Sequence, residues 1–323
     1  MVTYYKSTDA GAPVITGEAG SLIAALDACL VTGYGDKAAA GWTKPFEGTN
    51  KAVFRNDTVA GSGRFFQCLN DGSVLVAGNS HVCGIRGFAS MSTVDDGMEP
   101  FPTVPERGMG QLIRTGSGSG NVTGREWHIM ADSRAVHIFI GGGANWTLAI
   151  NRTNICSAHA FFGDLAHQPY SLDPYATMCC GAQNTITPTY AMSNFLSGAI
   201  GTTGNYMSLM RGYLGTIGAI QGRTDADAQQ AVTAHLGRLT GGTRAWSNHT
   251  GVELLSRLGV YDGNTPTPRG YVPGVLAFWG EAHPTWDTPT PVTIAGESYL
   301  PIALRNSSNI DYLTLVQITG SWR

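Results

Sequence analysis

The sequence predicts an α+β, mostly β protein, with antiparallel sheets, an N-terminal helix and few further helices. Three observations carry this reading. Short apolar segments recur between turn residues, and 43 glycines and 15 prolines punctuate the 323 residues. One early segment has helical rather than alternating spacing. A strong hairpin pattern lies mid-chain, over residues 126–140.

Residues 4–20 read as an extended lead-in, with Asp9, Gly11 and Pro13 as turn signals. Ser21 is placed to cap a helix over residues 22–30. Leu22, Ile23, Leu26, Cys29 and Leu30 recur at helical spacing, and Gly33 supplies the stop. Trp42 and Phe46 anchor the strand that follows. KAVFR (51–55) and RFFQCL (64–69) read as paired strands, and residues 81–90 as another. Residues 91–108 read as an irregular stretch, because Pro100, Pro102 and Pro105 exclude a central strand. Strand structure resumes at residues 112–114, and TGSGSGNVTG reads as a hairpin tip.

In EWHIMADSRAVHIFI, folding about Asp132-Ser133 pairs Trp127 with Ile138, Ile129 with Val136, and His128 with His137. Trp127, Ile129, Val136, Ile138 and Ile140 then share one apolar face. Asp-Ser is not a favoured two-residue turn, and a four-residue loop keeps that register. Further strands are expected at residues 146–151, 157–162, 195–200, 206–214, 252–260, 275–278, 299–305 and 311–322, with a turn at 307–309. Residues 225–239 have helical spacing with acidic residues in the first turn. The organisation expected is an N-terminal arm and helix (1–50), a main β body (51–224) and a C-terminal β lobe (225–323), or one continuous domain.

Composition excludes several classes. Net charge is −3 and Lys and Arg never form a run, so no nucleic-acid partner is expected. No apolar run reaches the roughly 18–20 residues of a membrane span, and the first residues lack the apolar core of a secretory signal. Only 13 % of residues are charged, about half the usual share. That fits a surface largely used against other subunits.

Catalytic and metal signals are weak. His128 and His137, opposite each other in the expected hairpin, are the sharpest metal candidates, yet two ligands do not make a site. Asp95-Asp96 lacks the calcium-loop pattern and reads as a turn. The GSGSGN tract lacks a P-loop lysine, and no GxSxG elbow occurs. No paired carboxylates mark a glycosidase. No cofactor is expected. Cys29, Cys68, Cys83, Cys156, Cys179 and Cys180 have no zinc spacing, and the readings are small buried hydrophobes or disulfide partners formed outside a reducing cytosol. The seven tryptophans, Trp42, Trp127, Trp146, Trp246, Trp279, Trp286 and Trp322, read mainly as core and interface anchors.

The run from Val2 to Arg55 resembles the N-terminal signature of a group of tailed-bacteriophage virion proteins. Its marks are Tyr4-Tyr5-Lys6-Ser7, Gly11-Ala12-Pro13, the helix with Leu22, Leu26 and Leu30, and Gly41-Trp42-Thr43-Lys44 with Phe46. Shorter pieces fit the same group: RGF-S-MSTVDDG to PFPT (86–103), FFGDL (161–165), RGYVPG (269–274) and the closing Ser321-Trp322. Residues 240–258 and 279–291 depart from it. The resemblance implies a non-enzymatic structural component of a phage particle, at the neck, collar or tail, that assembles as symmetric homo-oligomers with other virion proteins. Its place would then be the virion. The alternative is a peripheral receptor-binding module of the baseplate or tail tip, with Trp279 and Trp286 against a host surface glycan. A third, weaker reading is a cell-wall hydrolase. On the first reading the lead-in, residues 1–20, reaches onto a neighbouring subunit.

Overall fold

The computed structural model describes residues 1–72, 75–76, 80–103, 109–116, 122–141, 156–166, 176–181, 207–212, 215, 220–224, 255–262, 267–278, 290–305 and 311–322. Among them the order begins β1 (Thr3–Lys6), α1 (Ser21–Asp27) running into a π turn (Ala28–Thr32), β2 (Thr43–Gly48), β3 (Lys51–Arg55), β4 (Phe65–Leu69), β5 (Leu75–Val76), β6 (Ser80–Met91), β7 (Gly97–Phe101) and β8 (Gln111–Arg114). It continues with β9 (Trp127–Ala131), β10 (Ala135–Gly141), β11 (Cys156–Asp164), β12 (Thr177–Cys180), β13 (Met207–Leu209) and β14 (Ile220–Thr224). The last strands are β15 (Leu255–Asp262), β16 (Pro268–Phe278), β17 (Val292–Ile294), β18 (Glu297–Arg305) and β19 (Asp311–Gln317). Among the described residues the fold is mostly β, antiparallel, with one short helix near the start.

The described strands form two sheets. A seven-stranded sheet runs β2-β3-β4-β6-β5, with β7 and β8 also on β6. The length of β6 explains the branching: Val82 to Ile85 pair with β8, and Gly87 to Met91 pair with β7. A twelve-stranded sheet runs β1-β9-β10-β11-β12-β13-β14-β15-β16-β19-β18-β17. The twelve-stranded sheet turns back on itself, so the strands stack in three layers with a core on either side of the central one. Trp127, Ile129, Val136, Ile138, Ala160 and Phe162 face α1 and the seven-stranded sheet. Met130, Phe139, Phe161, Met178 and Cys180 on the opposite face meet Val260, Val275, Leu300, Ile302 and Val316 of the last strands. Residues of one strand alternate between faces, so β9 and β10, covered on both, are buried at every position.

The hairpin forms with a register shifted by two residues from the sequence expectation. Ile140 opposes Trp127, Ile138 opposes Ile129, and Val136 opposes Ala131. A shift of two keeps every side chain on its face, so the apolar stripe survives. Turn chemistry selects the register: Asp132 Oδ1 accepts the amides of Arg134 (2.8 Å) and Ala135 (2.9 Å), which centres the turn on Ser133-Arg134.

The lead-in is packed on its own chain rather than extended outward. β1 pairs with β9, and Tyr5 and Ile15 are fully buried. Ser21 does not cap the helix; its hydroxyl donates to Thr16 O (2.8 Å), and Asn70 Oδ1, from beyond β4, accepts the Leu22 amide at 2.8 Å. Gly33 ends the turn at φ 78°, where a Cβ would meet Lys37 O. The proline-rich stretch contains an edge strand, β7, with Pro100 opposite Phe88. The boundary expected near residue 225 falls between β14 and β15, which pair within the same sheet. The expected elements at 146–151, 195–200, 225–239 and 307–309 lie outside the described residues. Among the described residues no helix is long and apolar enough to cross a membrane.

Candidate functional site

Most of the apolar residues of the N-terminal pattern converge on one core. Tyr5, Leu22, Leu26, Cys29 and Leu30 are fully buried with Trp42 between α1, the seven-stranded sheet and the central layer. Trp42 meets Phe162 edge-on at 5.6 Å and Phe66 at 5.7 Å, and its indole N–H donates to Asp132 O at 2.7 Å. Tyr5 Oη donates to Ala38 O at 2.7 Å. Trp127 Nε1 donates to Pro13 O at 3.0 Å, which ties the lead-in down. Phe46 sits elsewhere, on the outer face of the seven-stranded sheet with Val53, Phe65 and Phe88.

The expected His128–His137 pair does not form. In the observed register His128 opposes Phe139 and His137 opposes Met130. His137 instead meets His159, Nδ1 to Nε2, at 3.4 Å, with the rings stacked. His137 Nε2 donates to Pro273 O at 2.9 Å, so that nitrogen carries the proton and Nδ1 is the acceptor. Both rings are wholly enclosed among Phe139, Phe161 and Trp322. Burial lowers the His137 pKa to about 4 and holds His159 well below the usual range. His128 joins Tyr4, whose Oη lies 2.6 Å from Nδ1, with Glu126 Oε1 3.5 Å from Nε2. Burial pushes the Tyr4 phenol up, and Asp9 and Glu126 add to it. Among the described residues, no group of three His, Cys, Asp or Glu gathers as a metal site would.

Five cysteines take the buried-hydrophobe reading in this chain. Cys29, Cys68, Cys83, Cys179 and Cys180 are free, buried thiols. Desolvation raises all five, Cys83 to about 12, which keeps them protonated and inert. The Cys156 side chain lies outside the described residues, as do Trp279 and Trp286 of the glycan-binding alternative.

Two polar clusters have no forecast in the sequence. Asp164, at the end of β11, accepts Ser62 Oγ (2.5 Å) and Thr177 Oγ1 (2.9 Å) at Oδ1, and Ser62 N (2.7 Å) and Asn56 Nδ2 (3.0 Å) at Oδ2. Burial raises its carboxyl even so, against the pull of those donors and of Arg134. The second cluster holds the last strands to the seven-stranded sheet. Arg211 grips Glu99 through two nitrogens (2.5 and 2.6 Å), and the fully buried Arg269 donates to Arg211 O at 2.7 Å. Asp164 and Arg269 lie in FFGDL and RGYVPG, so those short motifs were the available signal, but nothing local names their partners.

No family model matches this chain, and no curated protein matches it.

Proposed function

We propose that this chain is a non-enzymatic structural component of a tailed-bacteriophage particle, at the neck, collar or tail, assembling as symmetric multimers with itself and other virion proteins. One observation carries the reading. The long N-terminal block that resembles phage virion proteins encodes packing: Tyr5, Leu22, Leu26, Leu30 and Trp42 are buried together, and the polar atoms of Tyr5 and Trp42 are spent on backbone carbonyls. Such a block specifies packing. The low charge content supports it, since permanent subunit interfaces are less charged than free surfaces.

Immunogold labelling of intact particles with an antibody to the purified chain tests the proposal. Label at the head–tail junction or along the tail is expected. Label confined to the outermost tip moves the reading to the glycan-binding module, and purified particles without the chain refute both.

A further inference from the structure

We infer that Asn56 and Ser62 become the two ends of a self-formed ester cross-link, made by acyl transfer beside the buried carboxylate of Asp164. The inference stands independently of any role in a particle. Asn56 is only 1 % exposed. Its Oδ1 accepts the Arg64 amide at 2.7 Å, which fixes the oxygen end of the carboxamide. The two Nδ2 hydrogens go to the nearer acceptors, Asp164 Oδ2 at 3.0 Å and Arg134 O at 3.1 Å. Ser62 Oγ also sits 3.3 Å from that nitrogen, while its own proton is directed at Asp164 Oδ1, 2.5 Å away. The hydroxyl is therefore held at the nitrogen end of the carboxamide, with a long contact from Thr177 Oγ1 at 3.5 Å, and loss of its proton to Asp164 supplies the electron pair that attacks.

These are the parts an acyl transfer requires. Ser62 Oγ is the nucleophile and Asp164 the base. Asn56 Cγ is the acyl carbon, and the Arg64 N–H stabilises the charge that develops on Oδ1. The Oγ–Cγ bond forms and the Cγ–Nδ2 bond breaks. The serine proton passes through Asp164 to Nδ2, which leaves as ammonia. No oxidant, reductant or co-reactant enters. Burial, which raises the Asp164 carboxyl, suits it to take up that proton and hand it on. The competing attack by the Asp57 backbone nitrogen is opposed, because that N–H donates to Ser133 O at 2.9 Å. The product closes the β3–β4 loop into a covalent ring that carries Val59, 93 % exposed, at its tip.

Mass spectrometry of the purified full-length chain decides. Trypsin cuts after Arg55 and Arg64 and releases residues 56–64 with both partners in one peptide. The intact chain and this peptide are expected to be lighter than the sequence by about 17 Da, one ammonia. Fragment ions from cleavage between residues 56 and 62 should be missing, and Ser62→Ala should restore the full mass. A wild-type chain at full sequence mass overturns the inference, whether or not any variant folds. A deficit that persists in Ser62→Ala is a succinimide at Asn56-Asp57 and overturns it equally.

Discussion

Trp42 is a residue whose replacement should be strongly felt. It lies between the helix, the seven-stranded sheet and the central layer, against Phe66 and Phe162, and closes the Asp132 carbonyl with its indole N–H. Truncating a buried aromatic to alanine costs about 3–5 kcal/mol. Leaving the Asp132 carbonyl unpaired at a dry site adds roughly 1–3 kcal/mol. The total, about 4–8 kcal/mol, matches much of the roughly 5–15 kcal/mol that holds a typical domain. Trp42→Ala should therefore accumulate as unfolded or insoluble chain. Trp42→Phe keeps a ring in place and loses the hydrogen bond and part of the indole, about 2 kcal/mol. Urea unfolding followed by far-ultraviolet circular dichroism reads this as a midpoint lowered by roughly 0.5–1 M. A Trp42→Phe midpoint equal to the wild type would refute the claim that this side chain ties the layers together.

The buried histidines give a pH signature. His137 has its folded pKa lowered to about 4, so between that value and the unfolded value near 6.5 the unfolded chain binds the extra proton. Stability is then full above about pH 6.5 and falls as pH drops toward 4, by about 3 kcal/mol for this group. His159 acts in the same direction. Denaturation midpoints measured across that range should lose part of their slope in His137→Phe, and an unchanged slope would count against the buried neutral pair. Gly274 sits at φ 68°, and a Cβ there would enter the Trp322 indole; Gly274→Ala should cost at least about 2 kcal/mol by thermal or chemical unfolding. Cys29, Cys68, Cys83, Cys179 and Cys180 should resist a thiol reagent in the folded chain and react promptly once it is unfolded in urea; prompt reaction in the folded chain would contradict their burial.

What was legible in the sequence was local. β3 has the bounds expected from KAVFR, and the stop at Gly33 follows from its conformational freedom. The apolar faces of β9 and β10 followed from alternation alone. Their register did not, because a two-residue slip leaves alternation unchanged and only the Asp132 carboxylate distinguishes the turns. That slip moved His137 away from His128, and its partner His159 stands 22 residues off in another strand. The helix cap was misassigned for the same reason: Asn70 lies 48 residues from Leu22, while Ser21 looked suitable by adjacency. The Asp164 cluster joins three separate stretches, Asn56 to Ser62, Asp164 and Thr177, each ordinary when read alone.

A symmetry-averaged electron-microscopy reconstruction of the intact particle tests the central claim most directly. The account predicts repeated copies of this fold at the neck, collar or tail, with Tyr5 and Trp42 buried inside each protomer and the lead-in paired to its own β9. Purified particles that lack the chain would contradict the assignment. Particles in which residues 1–20 cross to a neighbouring protomer would contradict the packing on which it rests.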